Sequence, residues 1–297
     1  MVVENSRGQM KPLSTTVCSL GLVAVLLTVC LSGPALAQQR PLVTEDPEAI
    51  GSGLVLVEGG FDYLRDQLYP VSGLEGHRLR LPTLGISIGV SSIAEIQIDG
   101  VSYQTLSVTE RAVAPLSSQL NFTGDTTSDM DDVVIGAKVR VLSETDRRPA
   151  FALRFATRLP NASNESGLGL DTIDFVNTLL VGKTVRSVRV VGNVGLGILS
   201  DPTRGDRQND VLVYGLSMAR GMTETTQIVA EVAGHASTRR GDAPPGTDSS
   251  SFVRAGGRYT RGPVRFDAAL VAGLTSQDAT IGFTAGVTWV FQGMEVP

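Results

Sequence analysis

Residues 281–291 read Ile-Gly-Phe-Thr-Ala-Gly-Val-Thr-Trp-Val-Phe and lie six residues from the end of a 297-residue chain. Every second residue back from Phe291 is apolar: Trp289, Val287, Ala285, Phe283, Ile281. The residues between them, Val290, Thr288, Gly286, Thr284 and Gly282, are mostly small or polar. A period of two assigns a β-strand with one apolar face. Whether that face meets a protein core or lipid has to be read from the rest of the chain.

Working backwards, the same alternation recurs at about 53–65, 78–91, 93–108, 132–143, 149–160, 172–185, 187–200, 210–220, 225–236, 251–261 and 263–275. With 280–291 this makes about twelve strands and few helical patterns to compete. The connections sort by parity. The odd ones, at 67–77, 110–131, 161–171, 201–209 and 237–250, are long and polar; only the last, near 276–279, is short. The even ones, at 91–92, 143–148, 186–187, 221–224 and 262, are short. Long loops at one end and tight turns at the other are the habit of outer-membrane barrels, whose long loops face outward from the cell. A β-sandwich has no reason to sort its loops this way.

The strand faces agree. Phe151, Leu153, Phe155, Thr157 and Leu159 alternate with Ala152, Arg154, Ala156 and Arg158. Ile135, Ala137, Val139 and Val141 alternate with Gly136, Lys138 and Arg140, and Phe266, Ala268 and Leu270 with Asp267, Ala269 and Val271. A face of Gly and Ala with scattered Arg and Asp suits a polar lumen, with the apolar face toward lipid. Closure then satisfies every backbone group in the bilayer and leaves no edge. The parity slips near Gly100, which predicts a bulge, and Pro82 must sit at an edge, a bulge or a loop end.

At the other end of the chain, Arg7 and Lys11 precede an apolar run at 17–31, and Ala35-Leu36-Ala37 follows. A basic start, an apolar middle of roughly fifteen residues and a small-residue site predict a signal peptide cleaved after Ala37. That run is short for a spanning helix, which needs about 20 residues. Its removal takes away Arg7, Lys11 and Glu4 and moves the formal net charge from −5 to −6, a poor balance for nucleic acid. It also takes away Cys18 and Cys30, so the mature chain offers no disulfide, catalytic thiol or cysteine-based metal site. Glycine, 33 of 297 residues, is about 11% against a usual ~7%. The expected organisation is a signal peptide at 1–37, a periplasmic lead-in at 38–52, a transmembrane barrel at 53–291 and a tail at 292–297.

The mature opening, Arg40-Pro41-Leu42-Val43-Thr44-Glu45-Asp46 with Gly51 and Gly53 before the first strand, resembles outer-membrane barrels grouped under the meta-pathway of phenol degradation, or as outer-membrane transporters. The segments 132–138, 148–154 and 159–160 are similar in style. The resemblance extends loosely over the mature chain. It implies an outer-membrane barrel and passage of apolar or aromatic compounds, and it supplies no catalytic residues. Assembly machinery for such barrels resembles a reader of a terminal strand ending in an aromatic. Phe291 fits that role, with Trp289 as an interfacial anchor.

The inward charges are the candidate site. Lys138, Arg140, Arg154, Arg158, Arg189, Arg254, Arg258 and Arg265 are basic; Glu231 and Asp267 are acidic, with Glu58, Asp62, Glu95, Asp99 and Asp174 on the same face. One reading is a narrow aqueous path with a transverse field in which arginines guide anions or polar heads. The other is a network of ion pairs that fills and stiffens a small lumen. Other patterns carry less. His77 and His235 are the only histidines; His235 shares parity with Glu231 near Ser237 and Ser251, but no spacing constrains a hydrolytic triad, and it reads as a solvated rim histidine. Gly182-Lys183-Thr184 lacks the upstream glycine of a phosphate loop. Asp125, Asp129, Asp131 and Asp132 crowd one loop without calcium-loop spacing. Arg204-Gly205-Asp206 and Arg240-Gly241-Asp242 resemble an adhesion tripeptide, yet Gly-Asp is also ordinary turn chemistry.

The sequence therefore predicts an all-β, closed antiparallel transmembrane barrel of about twelve strands in a bacterial-type outer membrane. Its expected partners are outer-membrane lipid, the barrel-assembly machinery and a small-molecule solute, with no nucleic acid, cofactor or catalytic role. The alternatives are a closed-lumen structural or surface barrel and a secreted soluble β-protein.

Overall fold

Alternation becomes strand almost wherever it was read. The computed structural model describes residues 40–295; the leader expected at 1–37 and the last two residues of the tail lie outside them. The strands are β1 (Leu54–Tyr69), β2 (Leu74–Gly89), β3 (Ala94–Arg111), β4 (Thr126–Met130), β5 (Val134–Leu142), β6 (Ala150–Arg158) and β7 (Asp174–Val185). They continue as β8 (Val188–Ser200), β9 (Gln208–Gly221), β10 (Thr226–Ser237), β11 (Ser250–Arg261), β12 (Val264–Gly273) and β13 (Ile281–Gln292).

Neighbours in sequence pair antiparallel, and β1 pairs with β13 from Leu54 opposite Gln292 to Arg65 opposite Ile281, which closes the barrel. Strand β4 does not add a wall position. Residues 94–99 of β3 pair with β5 and residues 103–107 with β4, so β4 and β5 lie end to end beside β3 and the wall has twelve positions. The break between them faces Gly100 (φ +77°), where a Cβ would lie 2.4 Å from the Asp132 carbonyl oxygen. Gly100 is thus the bulge that the parity slip predicts. Pro82 sits in a second bulge, between the pairs Arg80–Gln104 and Thr83–Ser102.

The turns at 90–93, 143–149, 186–187, 222–225 and 262–263 occupy one end; the connections at 70–73, 112–125, 159–173, 201–207, 238–249 and 274–280 occupy the other. One expectation needs correcting. The loop expected at 67–77 is mostly strand, and only 70–73 remains as connection. Asp66 takes a left-handed conformation (φ 53°) and shifts the register so that Gln67 pairs with Gly76. That bulge destroys the period-two signal on which the strand assignment rested.

The wall is inside-out relative to a water-soluble protein. Lys138 is fully buried, while Phe155 is 50% and Leu270 60% exposed. On β12, Arg265, Asp267 and Ala269 are buried whereas Phe266 and Leu270 face outward. Trp289 and Phe291 also face outward on β13, near the short-turn end, with ring centroids 4.4 Å apart.

Candidate functional site: a lumen occupied by the chain's own N-terminal segment

Residues 40–50 do not form a lead-in outside the barrel. They have no regular structure and run through the lumen, bonded to the inner faces of many strands. The sequence reading placed them at the periplasmic end because nothing in their own pattern shows that the wall's charges are partnered by theirs.

Each step along the segment meets a complementary group. Arg40 donates to Thr83 Oγ1 (3.2 Å), Thr284 Oγ1 (3.1 Å) and the Ala285 carbonyl (2.8 Å), and its Nε lies 3.5 Å from Asp267. The Arg40 carbonyl accepts from Arg258 (2.8 Å) and Arg265 (3.1 Å), and the Pro41 carbonyl from Arg254 (2.8 Å). Glu231 is the central anchor. Its carboxylate accepts from the Val43 N–H (3.0 Å), the Thr44 N–H (2.9 Å) and the Thr44 hydroxyl (2.7 Å). Asn193 exchanges two hydrogen bonds with the backbone of Glu45, each 2.8 Å.

Below this the contacts become ionic. The Glu45 carboxylate lies 3.3 Å from Lys138 and 3.0 Å from Arg154. Asp46 meets Arg189 in a two-pronged pair at 2.7 and 2.9 Å, and Glu48 pairs with Arg140. The Ile50 N–H donates to Glu95 (2.8 Å), and the Ile50 side chain packs on Leu56 and Val290. Lys138 completes its shell with Glu95 (3.1 Å) and the Asp46 carbonyl (3.0 Å). A buried ammonium demands such a set, because an unpaired charge in this setting costs several kcal/mol.

Glycines on the inner wall make room for the segment. A Cβ at Gly286 would lie 2.4 Å from Arg40 Nε, and one at Gly182 would lie 2.7 Å from Pro47. The small-residue face read as the wall of a polar lumen is here the bed of a peptide.

Of the ten inward charges singled out in the sequence, nine touch the segment: Lys138, Arg140, Arg154, Arg189, Glu231, Arg254, Arg258, Arg265 and Asp267. Arg158 instead pairs with Asp174 and, at 3.8 Å, with Asp132. Charges of the wall are thus met by opposite charges and carbonyls of the segment. The sequence reading missed Arg40, Glu45, Asp46 and Glu48, the other half of the network. A signal was available: alternating Glu and Asp just before the first strand of a barrel rich in inward arginine.

Between residues 40–45 and the long loops lies a cavity of about 560 Å³. One part of its lining is ionic, with Arg80 bridging Asp62 and Asp131 and with Arg154 beside Asp99. Another is aliphatic: Val176, Leu199, Val211 and Val213, from β7, β8 and β9. Ser102 of β3, also in this lining, is buried with a hydroxyl that has no hydrogen-bond partner among the described residues.

The long loops gather over one end of the lumen. Leu74 and Leu106 are fully buried against Leu168 from the loop 159–173. Ser72 donates to the Gly167 carbonyl (2.8 Å), and a Cβ at Gly246 would lie 2.6 Å from Val71. His235 is no solvated rim residue: its Nε2 lies 2.7 Å from the Asp248 carbonyl, and it braces a loop. His77 lies beside Asp66 at the long-loop rim, Nδ1 to carboxylate 3.7 Å. Three of the four loop aspartates are likewise engaged. Asp129 accepts from the N–H and hydroxyl of Ser163 (both 2.8 Å), Asp132 accepts from the N–H groups of Asn161 and Ala162 (both 3.0 Å), and Asp131 holds Arg80. Among the described residues no group of carboxylates and histidines is arranged to hold a metal ion. Lys183 lies in β7 and pairs with Glu144 at 3.0 Å, far from phosphate-loop geometry.

No family profile and no curated protein matches the sequence. Solved structures do. An outer membrane channel from Pseudomonas putida F1 superposes with a TM-score of 0.57 at 13% identity, over 83% of this chain and 98% of that one. The NanC porin gives 0.48 at 10% identity over 79% and 98% of the two chains. The toluene transporter TodX from Pseudomonas putida gives 0.40 at 11% identity over 84% and 92% of the two chains. At these identities the first likeness establishes the outer-membrane barrel fold and nothing finer.

Proposed function

We propose that the chain is an outer-membrane barrel that passes small, largely apolar molecules and that rests with residues 40–50 seated in its lumen. The observation that carries this reading is the aliphatic patch of Val176, Leu199, Val211 and Val213 on the inner wall of the cavity. A lumen built only to be filled or to carry ions has no use for four aliphatic side chains facing a space large enough for a small molecule. Burying them against an apolar solute gains about 25 cal/mol per Å². The outward apolar belt supports an outer-membrane location, reached by way of the expected signal peptide. The likeness to a protein described as an outer membrane channel supports the class. The aromatic substrates implied by the sequence resemblance are one form of such a solute.

The second reading, a closed structural barrel, is favoured by the ion-paired segment and the packed loops. Uptake of a radiolabelled monoaromatic compound by intact cells separates the two. Transport predicts uptake above an empty-vector control that falls in Val211→Asp and Val213→Asp, with heat-modifiability on a denaturing gel retained. Uptake equal to the control in the unaltered protein leaves the structural barrel.

A further inference from the structure

The two Arg-Gly-Asp tripeptides lie in separate connections, 201–207 and 238–249, at the long-loop end. The strands between them, β9 and β10, are paired neighbours, and the two connections are tied together. Asp210 accepts from the Thr238 hydroxyl through its carbonyl (2.7 Å), and the Arg239 guanidinium donates to the Gln208 carbonyl (2.9 Å). Asp206 is two residues from Gln208 and Arg240 is next to Arg239. Chain and side-chain reach therefore put the tripeptides within roughly 20 Å of each other.

Turn chemistry does not account for their glycines. Gly205 and Gly241 have none of the positive φ angles that exclude a side chain, and a Cβ at either would meet nothing within 4 Å. Gly246, in the same loop as Gly241, has φ +80° and a Cβ site against Val71. The fold needs that glycine and does not need the two in the tripeptides.

The charged members show the same contrast. Arg207 pairs with Asp201 at 3.2 Å, Arg239 holds Gln208, and Asp201 accepts from the Thr203 N–H (2.8 Å) and hydroxyl (2.6 Å). The side chains of Arg204, Asp206, Arg240 and Asp242 form no hydrogen bond or ion pair among the described residues, and all six tripeptide residues are exposed. Asp201, Arg207 and Arg239 are held by neighbours, whereas these four are left to solvent.

We propose that these paired tripeptides are a docking surface for a metal-dependent adhesion receptor, a protein that takes the arginine in an acidic cleft and the aspartate carboxylate on a bound divalent cation. A hard cation of this kind prefers a carboxylate oxygen. A glycine between the two charges lets the receptor approach the backbone. Two equivalent copies on one rim double the chance of engagement and favour rebinding. The proposal rests on the long loops facing outward from the cell.

The test uses purified protein in lipid nanodiscs over a sparsely immobilised integrin ectodomain that reads Arg-Gly-Asp, in magnesium and in EDTA. Binding is expected in magnesium only, falling about two-fold in Gly205→Ala or Gly241→Ala, and lost in the double variant, as for two equivalent independent sites. Both alanines fit the fold, and retained heat-modifiability confirms it. No binding, binding indifferent to EDTA or to the double change, or dependence on one loop alone would overturn the paired surface. In parallel, Gly241→Cys on intact cells is treated with a membrane-impermeant thiol reagent. Labelling with no receptor binding rejects this proposal and leaves the orientation standing; no labelling rejects the orientation.

Discussion

At the scale of single residues, Glu231 is the side chain on which the seated segment most depends. Its carboxylate accepts two backbone N–H groups and a hydroxyl from residues 43 and 44, and Arg254 Nε stands 3.7 Å away. Glu231→Ala orphans all three donors and removes the arginine's counter-charge. Breaking a buried, hydrogen-bonded charge group costs about 3–5 kcal/mol, enough to shift the segment toward an unseated state. Larger and more frequent openings in planar bilayers are expected, in a barrel that still shifts on a denaturing gel. Traces matching the unaltered protein would mean the anchor lies elsewhere. Lys138 makes a companion case. Lys138→Met removes the cation between Glu45 and Glu95, although Arg154 still faces Glu45, and about 3–5 kcal/mol of destabilisation follows. The double change with Glu95→Gln recovers part of it, read from thermal unfolding in detergent. The sequence made these charges visible because lysine and arginine on the small-residue face of a strand are conspicuous. Their partners were harder to read, because Glu45 and Asp46 belong to a segment with no periodicity and lie some 90 or more positions away along the chain, so that only the acids crowded before the first strand pointed to them.

At the scale of elements, strands were legible because the membrane makes one face uniformly apolar. The twelve alternating runs reappear with boundaries shifted by a few residues. The failures fall where a bulge interrupts the count. Asp66 hides the long-loop ends of β1 and β2, and the polar run Thr126-Thr127-Ser128-Asp129-Met130 gives no hint of β4. Beyond the membrane neither face of a strand needs to be apolar, so the pattern stops before the strand does. Loops, in turn, are held by side chains that only the fold brings together. Asp278, in the connection 274–280, accepts from Ser250, the Ser251 N–H (3.0 Å), the Thr275 N–H (3.1 Å) and the Thr275 hydroxyl (2.6 Å). Partial burial pushes its carboxyl up, but these hydrogen bonds outweigh burial and hold it below the ordinary carboxylate range. A depressed pKa contributes stability above the unfolded value, about 3.9, that is lost as pH falls through the folded value. Amide hydrogen exchange in residues 274–280 is therefore expected to quicken, relative to the intrinsic rate, below about pH 4. In Asp278→Asn this acid step should vanish and protection should already be low at neutral pH. An unchanged acid step in the variant would assign it to another carboxylate.

At the scale of the whole molecule, the arrangement of apolar and charged side chains is the reverse of a soluble protein's. The lumen holds a peptide and its ion pairs, and the outer surface presents leucine, phenylalanine and tryptophan. One substitution reads this directly, because its sign depends on the medium. Leu270 faces outward on β12, 60% exposed, opposite Phe283 of β13 and Ala255 of β11. On a protein in water, replacing so exposed a leucine by arginine is near neutral, since surface changes usually stay within ±0.5 kcal/mol. On a lipid-facing wall an arginine costs about 2–4 kcal/mol at the bilayer midplane and less toward the interfaces. Leu270→Arg is therefore expected to lower the unfolding midpoint in phospholipid bilayers. Trp289→Arg, nearer the short-turn end where side chains reach the headgroups, should cost less. The depth dependence is the discriminating quantity. A barrel spanning lipid gives a larger penalty at 270 than at 289, whereas a soluble β-protein with the same strands gives none at 270. A neutral Leu270→Arg in bilayers would overturn the assignment of the outer face to lipid, and with it the expectation that the aliphatic patch inside serves a solute crossing that membrane.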